Sequence, residues 1–128
     1  MHSQAKVLLS LAAVSLLVAT MAGAVGTHAL PLDEQALRSF ETAVRFQFFH
    51  GLGVIALVLV GLAGRGGTLR AIAAWLMLFG TVLFCGSIYA RAFGAPAGIV
   101  SIAPYGGVAF MAAWLAFAAS PWLKDRRP

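Results

Sequence analysis

Thr42-Ala43-Val44-Arg45-Phe46-Gln47-Phe48-Phe49-His50-Gly51 is the stretch where a charge, an amide and an imidazole lead directly into a long apolar run. Polar side chains are costly in hydrocarbon, so an ionisable residue within an apolar span is a functional candidate by default. From Glu34 the helical pattern continues without a break to Leu62. At 1.5 Å per residue that is about 43 Å, longer than bilayer hydrocarbon requires. The first turns are therefore expected at the membrane interface or above it, with residues 44–62 crossing. Leu37, Phe40 and Val44 give those turns an apolar side, and Glu34, Arg38, Glu41 and Arg45 lie elsewhere. Glu41 and Arg45 have the i, i+4 spacing of an ion pair and are expected to form one.

Working outward toward the N-terminus, residues 7–24 are uncharged and follow a short basic lead of His2 and Lys6. Ala22-Gly23-Ala24 resembles a small-residue cleavage site, but the run is longer than the apolar core of a signal peptide, and a retained first helix is expected. Ala19 with Gly23 and Ala22 with Gly26 give the small-xxx-small spacing that lets a second helix approach. Pro31 ends this helix and Asp33 suits the N-cap of the next.

Toward the C-terminus, Gly64-Arg65-Gly66-Gly67 reads as a flexible turn, with Thr68 placed to cap a third helix. Residues 71–90 are uncharged and bracketed by Arg70 and Arg91. Gly86, Ala90 and Gly94 recur at every fourth position, a candidate packing seam. Gly94-Ala95-Pro96-Ala97-Gly98 breaks the chain, and Pro104 suits the first turn of a fourth helix. That helix runs through Trp114 toward Trp122 and ends at Pro121 and the tail Lys124-Asp125-Arg126-Arg127. The fold class that follows is all-α: a four-helix transmembrane bundle with a short interfacial extension of helix 2. Residues 1–128 form a single membrane domain with spans at about 7–26, 42–62, 70–90 and 104–122.

Composition excludes the common alternatives. Apolar residues make up 61% of the chain and charged residues 10%, against roughly a quarter charged in soluble domains. The net charge of +5 is not a nucleic-acid footprint, because the basic residues bracket apolar runs instead of forming a stripe. Cys85 is the single cysteine, so no intrachain disulfide or CxxC motif exists, and it reads as a small buried side chain. With four spans, Lys6, Arg65, Arg70, Lys124, Arg126 and Arg127 fall on one side and Arg38, Arg45 and Arg91 on the other. The excess predicts cytoplasmic termini in a bacterial inner membrane. His28, Glu41, Arg45, Gln47, His50, Ser87, Tyr89 and Arg91 then gather at the outer end.

Four segments carry a family resemblance. Gly23-Ala24-Val25-Gly26-Thr27-His28-Ala29-Leu30 resembles the GAxGxHxL signature of the YgdD-type small membrane proteins, domain of unknown function 423. The stretch from Thr42 to His50, Leu83-Phe84-Cys85-Gly86-Ser87-Ile88-Tyr89, and Pro104-Tyr105-Gly106-Gly107 resemble its second, third and fourth signatures. The likeness covers nearly the whole chain. It departs at Cys85, where the family commonly has serine, and at Thr27, where it commonly has alanine. The resemblance implies a four-helix membrane protein and supplies no activity.

The candidate cluster supports two functional readings. In the first, His28 and His50 hydrogen-bond within the bundle and the protein is a structural or assembly component, with the lipid bilayer and a homo-oligomer or membrane complex as its partners. In the second, the outer cluster around His28 and His50 binds a ligand or ion in a small binding or transport module. Ser87 and Tyr89 are placed to join His50 in a network, though Tyr89 equally suits an interfacial belt. Arg91 suits capping of helix 3 or snorkelling. No enzyme is expected: Cys85-Gly86-Ser87-Ile88-Tyr89 lacks the second glycine of a nucleophile elbow, and few carboxylates are available to orient a histidine. No metal and no cofactor is expected, since the histidines have no nearby cysteine or carboxylate at ligand spacing. No nucleic-acid partner is expected.

Overall fold

A computed structural model describes residues 2–125. Its four helices are α1 (Ser3–His28), α2 (Glu34–Leu62), α3 (Gly67–Ala92) and α4 (Ala103–Ala119). Short 3₁₀ segments, Ala97–Ile102 and Ser120–Trp122, flank α4. With those flanks included, all four are long and apolar enough to cross a membrane.

The helix ends follow local chemistry. The Asp33 carboxylate accepts the Ala36 N–H at 2.8 Å, capping α2. At the end of α3, Gly94 takes φ +106°. The Ala95 N–H then reaches the Ala90 carbonyl at 2.9 Å and the Gly94 N–H the Arg91 carbonyl at 3.2 Å, closing a Schellman motif. Pro104 lies in the first turn of α4.

The start of α3 differs from the sequence expectation. Thr68 is not its cap. α3 begins at Gly67 behind a left-handed Gly66, and the Asp125 carboxylate accepts the Gly67 N–H at 2.8 Å. Arg70 holds the same carboxylate, with Nη1 3.3 Å from each oxygen. The Gly66 N–H donates to Leu123 and the Asp125 N–H to Gly64, so the tail forms an antiparallel bridge with the turn between α2 and α3. A carboxylate there faces the positive end of the α3 dipole. The Gly67 N–H, with Arg70, holds the Asp125 carboxyl below the usual carboxylate range.

Packing follows chain order: α1 lies on α2, α2 on α3 and α3 on α4. One apolar core draws on all four helices, with Leu8 and Ala12, Val54 and Leu57, Ala73 and Met77, and Ala113. The backbones of α3 and α4 approach closely at Gly106. A Cβ on Gly106 would lie 2.5 Å from the Phe84 nitrogen and 2.8 Å from the Gly80 oxygen. The seam expected at Gly86, Ala90 and Gly94 is not used this way: Gly86 is exposed and a Cβ there would meet nothing within 4 Å. On α1, Gly26 lies directly against the Phe40 ring. The outer surface is an apolar belt, with Leu17 and Met21 of α1, Phe79 and Val82 of α3, and Met111 and Leu115 of α4 all exposed. Apolar surface of this extent is favourably covered by lipid or by other membrane helices.

Candidate functional site

Two adjacent columns on the buried face of α2 carry its polar groups. Ala43 and Gln47 form one column, and Phe46 and His50 the other, each pair one turn apart. Gln47 and His50 are each only 4% exposed.

Gln47 ties three helices. Its amide nitrogen donates to the Ser15 carbonyl at 3.0 Å and lies 3.1 Å from the Ser15 hydroxyl, fastening α1. Its amide oxygen accepts the Tyr89 hydroxyl at 2.7 Å, fastening α3. One turn earlier the Cys85 thiol donates to the Ala43 carbonyl at 3.1 Å. The Tyr89 ring packs on Phe40 with centroids 5.0 Å apart. Both ends of the amide are therefore engaged at the only depth where α1, α2 and α3 are joined by side-chain hydrogen bonds among the described residues.

His50 ties α2 to α4. Its Nε2 lies 3.0 Å from the Trp114 indole nitrogen, and its Nδ1 lies 2.6 Å from the Phe46 carbonyl. An indole N–H is only a donor. Nε2 must therefore accept, so Nδ1 carries the proton and donates to Phe46. Both ring nitrogens are occupied by a neutral imidazole of fixed tautomer. The ring also stacks on Phe110, centroids 3.5 Å apart and planes 13° apart. Phe46 and Phe84 stack beside it at 5.0 Å.

The eight residues expected to gather at one end do not form one cluster. Only Gln47 and Tyr89 bond one another. His28 is exposed at the last residue of α1, while His50 is buried against α4 with both nitrogens taken, so the two imidazoles do not form a ligand pair. Tyr89 joins Gln47 instead of His50. The Ser87 hydroxyl is buried and turns back to the Phe84 carbonyl at 3.0 Å. Glu41 and Arg45 are exposed, and the expected pair between them is absent. Arg45 reaches Thr42 at 3.4 Å, and the ion pair on this segment is Arg38 with Glu34 at 2.8 Å. At 65% and 87% side-chain exposure, such a pair contributes only about 0.3–0.5 kcal/mol, too little to fix which carboxylate is chosen. Arg91 donates to the Ala95 carbonyl at 3.0 Å, beyond the end of α3. Among the described residues no three His, Cys, Asp or Glu side chains converge in a way that would hold a metal ion.

Trp114, Ser15 and Asp125 were not among the expected functional residues. Trp114 carried a weak signal, an amphipathic ring within an apolar helix. Ser15 is a hydroxyl in the middle of the first apolar run. Asp125 gave none, because its partners lie 55 and 58 residues away.

Residues 22–107 match the model of the family described as Protein of unknown function (DUF423). The chain is 36% identical to the UPF0382 membrane protein YwdK of Bacillus subtilis, over 86% of this chain and 91% of that one. It is 36% identical to a UPF0382 membrane protein of Haemophilus influenzae, over 86% and 89%. It is 30% identical to the UPF0382 inner membrane protein YgdD of Escherichia coli, over 84% and 82%. No solved structure matches the chain.

Proposed function

This chain belongs to the DUF423 family of membrane proteins, and from that premise we propose that it is a non-enzymatic structural or assembly component of the bacterial inner membrane, with both termini cytoplasmic. One observation carries the reading: the polar groups of Gln47 and His50 are occupied by partners within the bundle. Both nitrogens of His50 and both ends of the Gln47 amide are bonded inside the bundle. A catalytic or transport group needs a free valence toward its substrate. These groups instead fix the register of α2 against its neighbours, and the exterior presents apolar helix faces to lipid and to other membrane proteins. The excess of basic residues at the end carrying the termini supports the orientation, and the name of the Escherichia coli relative fits the compartment.

Extraction into polymer-bounded native discs followed by native mass spectrometry tests the role. The expected result is a defined assembly heavier than the 13.4 kDa protomer, unchanged in a His50→Gln variant of lower stability. A strict monomer with no accompanying protein would overturn the assembly role. For the orientation, Cys85→Ala serves as background, with single cysteines at the exposed positions Thr68 and Ala97. An impermeant thiol reagent applied to intact spheroplasts should label position 97 and spare position 68, and the reverse labelling overturns it.

A second reading, a small binding module, is favoured by one feature. A cavity of about 590 Å³ opens between α1 and α3, and Ser15, Gln47 and Tyr89 lie among its walls. A ligand there would exchange hydrogen bonds with the Gln47 network, so its binding would fall in Gln47→Leu. Binding unaffected by that change would exclude this reading.

A further inference from the structure

A different cavity, of about 660 Å³, lies at the end of the bundle that carries the termini, among the start of α1, the end of α2 and the start of α3. That volume is in the range of small-molecule sites. Its composition is divided. Ala5, Leu62 and Ala71 give it accessible apolar surface in front of the buried Leu8, Leu57, Val58 and Ala74, and His2, Gln4 and Arg70 form a polar rim. Arg70 is the charged group that lines it. Among the described residues, all of its hydrogen bonds leave from Nη1, toward the Arg65 carbonyl and Asp125. Nε and the guanidinium carbon lie over Gly61, which also lines the cavity. The guanidinium thus has Nε and Nη2 unused as donors among the described residues. The first turn of α1 contributes Ser3, Gln4 and Ala5, whose N–H groups have no carbonyl within the helix to bond. That turn holds no acidic residue and no side-chain cap.

Charge at this end is complementary to an anion. Among the described residues, Lys6, Arg65, Arg70 and Lys124 stand against Asp125, and Asp125 is committed to Gly67 and Arg70. A pocket with a basic rim, apolar walls and a position at the membrane surface is matched by one class of molecule. We propose that this cavity binds the phosphate of an anionic phospholipid, with the phosphate on Arg70 and the first turn of α1 and the upper acyl chain along Ala5, Leu62 and Ala71. Basic pockets between membrane helices recognise acidic headgroups in this manner. The inference does not depend on the assembly role, because it concerns lipid at a different end of the molecule from the Gln47 and His50 network.

Native mass spectrometry of the full chain from mixed micelles tests it, with phosphatidylglycerol and phosphatidylcholine at equal concentration. Phosphatidylglycerol should be retained in preference, and Arg70→Gln should reduce its retention by about fivefold, as expected for one basic residue at an anionic lipid. Since Arg70→Gln also loosens Asp125, Gln4→Glu provides the decisive second variant. It leaves that ion pair intact, sets a carboxylate on the rim, and should reduce retention by at least the same factor. Equal retention of the two lipids, or unchanged retention in Gln4→Glu, overturns the proposal. Displacement of phosphatidylglycerol by millimolar inorganic phosphate would show a free-anion site and overturn the lipid assignment.

Discussion

The indole N–H of Trp114 donates to Nε2 of His50 at 3.0 Å, and this one bond sets the protonation state of the most deeply placed imidazole. A donor-only partner requires a bare Nε2. Trp114→Phe keeps an aromatic side chain but removes the pyrrole half with its donor, leaving Nε2 unpaired between α2 and α4. The expected cost is about 1–2 kcal/mol, read from unfolding of the purified protein in mixed micelles. A double-mutant cycle with His50→Phe should show coupling of about 1 kcal/mol. Strict additivity of the two changes would mean the bond contributes nothing to stability.

Gln47 should be the more sensitive position. Gln47→Leu fills similar volume but strands the Tyr89 hydroxyl and removes the cross-helix donor to Ser15, whose carbonyl keeps its partner within α1. A loss of about 1–3 kcal/mol is expected for groups left unpaired at this depth, against about 1 kcal/mol for Tyr89→Phe. Equal or greater stability of Gln47→Leu would show that the amide serves something other than holding α1, α2 and α3.

The contact between α3 and α4 gives a prediction of opposite signs. Gly106→Ala places a methyl on the Phe84 nitrogen and the Gly80 oxygen, both backbone atoms that cannot rotate away. Overpacking of that kind costs about 1–3 kcal/mol. Gly86→Ala meets nothing within 4 Å and should stabilise α3 by up to about 1 kcal/mol, the ordinary helix preference for alanine over glycine. Similar effects at the two positions would refute the placement of the seam.

The tail contact carries a pH signature. The Asp125 carboxyl titrates below its ordinary range, chiefly through the Gly67 N–H and then through Arg70. A depressed folded value means the contact stabilises the protein fully above the unfolded carboxyl pKa of about 3.9 and loses that contribution as pH falls through the lower folded value. Stability measured from pH 7 to pH 2 should therefore drop at the acid end in the parent chain, and by less in Asp125→Asn. Identical acid limbs would show that the titration of Asp125 is not coupled to folding.

Much of the architecture was legible because membrane helices announce themselves by length and composition, and because Pro31, Asp33, Gly94 and Pro104 act within a few residues of where they sit. What failed was pairing at a distance. The spacing of Gly86, Ala90 and Gly94 shows that they share a face of α3. It does not show that α4 packs instead on the face holding Gly80. Gln47 and His50 were visible as polar groups at depth, yet their partners Ser15, Tyr89 and Trp114 are 32, 42 and 64 residues away, on helices whose rotation the sequence does not state. Glu41 and Arg45 had ideal spacing, but both lie exposed at the surface, where alternatives differ by less than thermal energy.

The bridge between the tail and the turn after α2 has a consequence for how the protein is made. Residues 64–67 are synthesised before the third and fourth spans, but the groups that complete the start of α3, Leu123 and Asp125, come only after the fourth span. During insertion the α2–α3 hairpin therefore precedes the groups that fasten its connecting turn, and fastening must await the segment that follows the fourth span. A released chain truncated before residue 123, or one whose tail is drawn away, would keep all four spans and leave that hairpin unclosed.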